Sequence, residues 1–295
     1  MIGHLQTIAA ALLPPPPATL QRSRWDTPDG DFIDVDFAGD ARAPRRMVLL
    51  HGLEGSSDSH YARLLATALP DAGWRVAIPH WRGCSGEPNR KPRAYHSGDA
   101  VEVDWILRRF GRQVDAVGVS LGGNALLKWL GERGAAAGAV VRRAAAVSAP
   151  LDLPASGRAL DRGLNRLLYT RMFLATLKAK SLAQLERFPA LFDEAKLRRA
   201  RTFREFDNLY TAPVHGFRDV DHYWTTSASG PWLERVRVPT LVLNARNDPF
   251  LPEPALVAAT RKAADCVTLE LPRTGGHVGF RGAWLARRLT RFFRA

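Results

Sequence analysis

The sequence predicts an α/β protein: a mostly parallel central sheet flanked by helices, with a helical cap inserted late in the chain. Three observations carry this expectation. Short, continuous apolar runs recur at Met47–Leu50, Trp74–Pro79, Val114–Val119, Arg143–Val147, Thr240–Leu243 and Val267–Leu271. Helical patterns alternate with them, at His60–Leu69, Val101–Phe110, Ala125–Glu132, Ala255–Ala264 and Trp284–Phe293. Between about Leu151 and Trp232 the rhythm breaks, and no clear buried strand is visible. Apolar runs without polar alternation suit strands buried on both faces, as in a parallel sheet. Strands alternating with helices argue for crossover connections and helices on both sheet faces.

The elements follow in order. Residues 1–19 read as a packed N-terminal arm. Its short apolar stretch Ile8–Leu13 lacks a preceding basic region and is stopped by the rigid run Pro14–Pro17, so it does not read as a signal peptide. The turn signal Asp29-Gly30 separates Arg24–Thr27 from the alternating stretch Asp31–Phe37, which predicts an antiparallel hairpin at a sheet edge. The strand–helix units then build one domain, with a core of about 20–150 and 232–295 and a helical cap of about 151–231. Within the cap a helix is expected over Leu160–Ala175, with Leu160, Leu164, Leu167 and Leu168 on one face. From Arg158 to Glu205 the segment holds 12 Lys or Arg against 5 Asp or Glu. Two readings of it stay open. It is a basic lid able to meet an anionic membrane surface, or its leucines pack on the sheet and its arginines are solvated.

The chain has 295 residues, 46% hydrophobic and 24% charged, an ordinary balance for a globular protein. Its two cysteines, Cys84 and Cys266, make no disulfide framework and have no metal-ligand spacing. No apolar run approaches the ~20 residues a membrane-spanning helix needs, and the cytoplasm is the expected location. The net charge of +13 permits contact with polyanions, but no nucleic-acid-binding motif accompanies it. Nucleic acid is therefore not an expected partner.

The chemistry is concentrated in Gly118-Val119-Ser120-Leu121-Gly122, a G-x-S-x-G sequence that runs from an apolar strand into a helix. That setting is the one a nucleophile elbow requires: a strained turn projects the serine hydroxyl, and flanking glycines let neighbouring backbone pass close by. A serine needs a base, and the base needs a carboxylate behind it. Both follow in the order serine, acid, histidine. Asp248 lies just past the run Thr240–Leu243, and His277 lies in Thr274-Gly275-Gly276-His277, past the last strand. Asp152, after the strand ending at Val147, is a rival acid. No other histidine lies downstream of both Ser120 and the acid strand. The oxyanion donors expected are the N–H of Leu121 and that of Leu53, in the loop His51-Gly52-Leu53-Glu54-Gly55, with Gly52 next.

These residues, together with the block Trp81-Arg82-Gly83-Cys84-Ser85-Gly86-Glu87-Pro88-Asn89, Tyr95-His96-Ser97-Gly98 and the opening His4-Leu5-Gln6-Thr7, resemble the YheT-like subfamily of α/β-hydrolases. The stretch from Phe206-Asp207-Asn208 to His215-Gly216 is similar too. The likeness runs from the N-terminal arm to His277. It implies the α/β-hydrolase fold, a carboxylesterase with a Ser–Asp–His relay on Ser120, Asp248 and His277, and a cap between the sixth and seventh strands. It leaves the substrate open between a small-molecule ester and a lipid ester, and Cys84, though inside a motif, is expected to be structural. No metal or cofactor is implied.

Overall fold

The computed structural model describes residues 1–295. Its strands arise where the apolar runs predict them: β1 (Gln21–Asp26), β2 (Phe32–Ala38), β3 (Arg45–Leu50), β4 (Trp74–Pro79), β5 (Val114–Val119), β6 (Val141–Val147), β7 (Thr240–Leu243) and β8 (Val267–Glu270). They form one sheet in the order β1-β2-β4-β3-β5-β6-β7-β8. β1 and β2 form the antiparallel edge; from β4 to β8 every pairing is parallel. Successive side chains enter opposite layers. Val48 and Leu50 of β3 join one core cluster, Met47 and Leu49 the other. This two-sided burial is why the runs carry no polar alternation.

The hairpin refines the expected pattern. The polar residues of β2 are buried, not solvent-facing: Asp34 and Asp36 lie opposite Arg24 and Arg22 of β1 and pair with them at 2.8 and 2.7 Å. Charged partners directly across an antiparallel pair hold its register.

The N-terminal arm forms helix α1 (Ile2–Leu12). Helices α2 (His60–Asp71), α3 (Ala100–Arg108) and α4 (Leu121–Arg133) follow β3, β4 and β5. Between β6 and β7 the chain holds helices joined by short loops and no strand, beginning with α5 (Leu153–Leu160). This segment has its own apolar cluster, centred on Leu197, Phe203, Phe206 and Trp224.

The expected helix over Leu160–Ala175 is corrected. α5 ends at Leu160, and a new run of helical turns starts at Gly163 and continues through a wide turn at Arg166–Thr170 to Arg187. The break has a non-local cause. The carboxylate of Asp161 accepts the backbone N–H groups of Phe203 and Arg204, at 2.7 and 3.0 Å. It thereby caps a helix distant in sequence and leaves its own. The expected leucine face splits with it: Leu160 is half-buried, while Leu164, Leu167 and Leu168 are exposed and do not pack on the sheet. No helix is long and apolar enough to cross a membrane.

Candidate active site

The strand order reverses between β3 and β5, which lie side by side while their connection runs outward through β4. Crevices at such switch points, beyond the carboxyl ends of the strands, are where open α/β sheets bind ligands. Two loops of interest leave the sheet there: His51–Gly55 after β3, and Ser120 after β5.

Ser120 sits in a strained turn at φ 53°, ψ −117°, a region that costs a non-glycine residue about 1–3 kcal/mol. The two flanking glycines permit it. A β-carbon on Gly118 would strike the Gly122 carbonyl, and one on Gly122 would strike the Leu50 carbonyl of β3. The turn thus closes tightly on itself and packs onto the backbone of β3, and the strain is held by the sheet.

The structure brings Ser120, His277 and Asp248 together. His277 Nε2 lies 2.9 Å from Ser120 Oγ, and His277 Nδ1 lies 2.8 Å from Asp248 Oδ2. Asp248 has a fully buried side chain, and its other oxygen accepts the Phe250 N–H at 2.8 Å. Asp152 is elsewhere engaged: its carboxylate accepts the Ala155 N–H at 2.8 Å and caps α5.

The His277 loop is held by a feature that sequence reasoning missed. Four successive backbone N–H groups donate to four side chains. Gly275 donates to Gln6 Oε1 at 3.1 Å, Gly276 to Asn247 Oδ1 at 3.0 Å, His277 to Thr7 Oγ1 at 2.8 Å, and Val278 to Ser148 Oγ at 3.2 Å. Asn247 in turn donates to Gln6 at 2.8 Å. The adjacent His60 Nε2–H donates to the Val278 carbonyl at 3.0 Å, and burial lowers the pKa of its ring. The N-terminal helix therefore braces the loops of both Asp248 and His277. The available signal was Gln6-Thr7, polar residues in an otherwise apolar arm.

The β3 loop is held as tightly. His51 is fully buried, and burial pushes its pKa down to about 3. The Trp81 N–H donates to its Nε2 at 3.0 Å, so the neutral ring carries its proton on Nδ1, which donates to the Gly52 carbonyl at 2.8 Å. Gly52 N–H donates to Tyr61 Oη at 2.8 Å, and Glu54 N–H to Tyr95 Oη at 2.9 Å. Gly52 is thereby removed as an oxyanion donor, since its N–H is spent. The Leu53 N–H between them has no partner within the molecule. Leu121 opens α4, where N–H groups lack intrahelical acceptors. A β-carbon on Gly52 would stand 3.1 Å from that of Ser120, which brings this loop against the serine.

Next to Ser120 lies a cavity of about 630 Å³. Leu53, Leu121 and Ser120 form its floor, and the segment between β6 and β7 supplies apolar walls, among them Leu160, Leu177 and Phe206. Among the polar residues of the lining, two features stand close to the apolar walls. Lys180 pairs with Glu54 at 2.9 Å, and Asp207, half-buried with its carboxylate between Thr211 and Trp224, is pushed up to about 6 by desolvation. Cys84 lies beside Lys180 and Glu54, and burial pushes its thiol up to about 12, away from the nucleophilic thiolate form. Both cysteines are free.

Comparison with known proteins agrees with this architecture. The α/β-hydrolase fold model matches residues 45–281. YheT of Escherichia coli is 39% identical over 272 residues, covering 89% of this chain and 79% of that protein. The phospholipase ABHD3 of Mus musculus is 30% identical over 283 residues, covering 91% and 68%. Among solved structures, a membrane phospholipase A aligns over 99% of this chain and 88% of its own, with a TM-score of 0.63 at 17% identity. The esterase EaEST of Exiguobacterium antarcticum aligns over 93% of this chain and 97% of its own, with a TM-score of 0.59 at 16% identity. At those identities the two structures speak for the fold, and the sequence matches speak for the family: the chain belongs to the α/β-hydrolases, as a YheT-like member.

Proposed function

We propose that this chain is a serine hydrolase that cleaves carboxylic esters through an acyl-enzyme. The observation that carries the reading is the unbroken relay from Ser120 Oγ through His277 to Asp248, at 2.9 and 2.8 Å. With Asp248 ionised and accepting from Nδ1–H, Nε2 of His277 keeps its lone pair directed at Oγ. It takes the serine proton as Oγ attacks the ester carbonyl, and Asp248 steadies the imidazolium that forms. The carbonyl oxygen becomes an oxyanion facing the N–H groups of Leu121 and Leu53, each donor worth about 3–4 kcal/mol in such sites. Nε2–H then protonates the departing alcohol. Water repeats the sequence on the acyl-enzyme and restores Ser120.

The apolar cavity suits an acyl chain. Its walls also favour a second reading, in which the ester is a membrane lipid and the enzyme is a lipase or acyltransferase; the relative ABHD3 is named a phospholipase. A panel of esters of rising acyl length, with and without added alcohol, tests both readings against Ser120→Ala. Turnover lost in Ser120→Ala supports ester hydrolysis, and an alkyl ester product in the alcohol arm supports transfer. Turnover that survives Ser120→Ala overturns the proposal.

A further inference from the structure

Most of the large exposed apolar side chains of this molecule fall in two segments. Ile2 and Leu5 project from α1, and Leu164, Leu167, Leu168 and Met172 from the helical turns that begin at Gly163, each between 44% and 67% exposed. The two stripes are joined. His4 of α1 stacks on Tyr169 with ring centroids 5.7 Å apart, and its Nδ1 lies 3.2 Å from the Tyr169 hydroxyl. Tyr169 and Thr170 are the buried residues of that turn, while Leu164, Leu167 and Leu168 before them and Met172 after them face outward. Contiguous exposed apolar surface of this kind marks an interaction site.

The charge around the patch identifies the partner. Arg162, Arg166 and Arg171 flank the leucines and are exposed without a salt bridge. Farther along the same segment, Arg198 and Arg204 are neutralised by Glu194 and Asp221. No Asp or Glu occurs between Arg162 and Leu185, and residues 1–19 contain no charged side chain at all. These two segments thus present an apolar and cationic face, and the neighbouring Glu253 is paired with Arg246 at 2.8 Å. We propose that it docks on an anionic lipid bilayer. The leucines enter the boundary between headgroups and acyl chains, and the three guanidinium groups meet lipid phosphates.

Docking there would act close to the chemistry. Tyr169 packs on Phe250 at 4.6 Å, and Phe250 on His277 at 4.2 Å, so the lipid-facing turns lie two ring contacts from the histidine. The opposite side of α1 carries Gln6 and Thr7, which hold the His277 loop.

The test uses the full chain with vesicles of phosphatidylcholine alone or mixed equally with phosphatidylglycerol, sedimented at low and high salt. Two variants accompany it: Leu164→Ser with Leu167→Ser and Leu168→Ser, and Arg162→Gln with Arg166→Gln and Arg171→Gln. All six positions are exposed, so folding is not at stake. Wild type should bind the anionic vesicles at low salt and release as salt rises. Each arginine near an anionic surface contributes about fivefold to partitioning, so the arginine variant should lose about a hundredfold. The leucine variant should also lose binding, and both should keep wild-type turnover of a soluble short-chain ester. Ser120→Ala should bind as wild type does, which separates the docking surface from the reading of the reaction. Absence of binding at low salt, equal binding to neutral vesicles, retention by either triple variant, or a wild-type dimer in light scattering that the leucine variant dissolves would overturn the proposal.

Discussion

Thr7 lies at the far end of the chain from His277, yet its replacement should slow the enzyme. Its buried hydroxyl accepts the His277 N–H at 2.8 Å while donating to the Gly3 carbonyl at 2.8 Å. Thr7→Val keeps the shape of the side chain and removes the acceptor. The His277 N–H is then unsatisfied in a partly buried loop, at a cost of about 1–3 kcal/mol. That cost weighs only on the geometry in which Nε2 faces Ser120, because a displaced loop exposes the N–H to water. Since roughly 1.4 kcal/mol is a factor of ten, kcat should fall about tenfold. KM should hold, because Thr7 does not line the cavity. Thr7→Ser retains the hydroxyl and should restore most of the rate. The assay is steady-state hydrolysis of a short-chain ester by purified variants with matched thermal unfolding, with the rate of fluorophosphonate labelling as a second reading. A Thr7→Val enzyme within about twofold of wild type, or a Thr7→Ser enzyme as slow as Thr7→Val, would refute this positioning role.

Three further outcomes are expected. A fluorophosphonate should label Ser120 alone, as read by mass spectrometry of the labelled peptide; a label on another residue of the folded protein would remove Ser120 from the mechanism. Asp248→Asn should lower turnover by roughly 10⁴, as loss of the orienting carboxylate does in well-studied triads. Asp152→Asn should cost little turnover, because that carboxylate caps α5, and the reverse ranking in folded variants would move the acid to the earlier strand. Asp207 should make stability fall with rising pH. Its folded pKa of about 6 stands above the ordinary carboxyl value, so the folded state holds the proton more tightly and loses that advantage as pH rises through about 6. A gap of about two units corresponds to about 3 kcal/mol. Urea unfolding of Asp207→Asn should therefore gain on wild type by about that amount between about pH 4 and pH 7, and a difference that does not change with pH would contradict it.

What the sequence made legible was what local rules decide. β4, β5 and β7 begin and end where their apolar runs do, because strands buried on both faces leave no ambiguity of period. The elbow at Ser120 was readable because only glycine lets Gly118 and Gly122 touch neighbouring backbone. What escaped were side chains whose partners are remote in sequence. Asp161 ends one helix by capping residues 42 and 43 positions away. Gln6 and Thr7 look like minor polar interruptions of an apolar arm until the His277 loop is laid against them, some 270 positions later. α1 has no side-chain cap and no charged residue of its own, so its existence as a helix depends on that packing, which no local pattern announces.

The two halves of the site have separate physical origins, and among the contacts that join them is one ion pair. The relay, the elbow and the β3 loop are all built on the carboxyl ends of the sheet or braced by α1. The cavity walls come from the segment between β6 and β7, whose apolar cluster is its own, and from residues 82–97 after β4. Glu54 is the link. It sits at φ 54°, directly after Leu53, with its carboxylate held by the Tyr95 hydroxyl at 2.8 Å from the sheet side and by Lys180 at 2.9 Å from the inserted segment. A shift of the Lys180 helix would pull on the residue that follows the proposed oxyanion donor. Tyr95, packed flat against Trp81, resists that pull, and Trp81 is itself tied to His51 by two hydrogen bonds. The donor loop therefore takes its position from the rigid sheet and only its outer edge from the inserted segment.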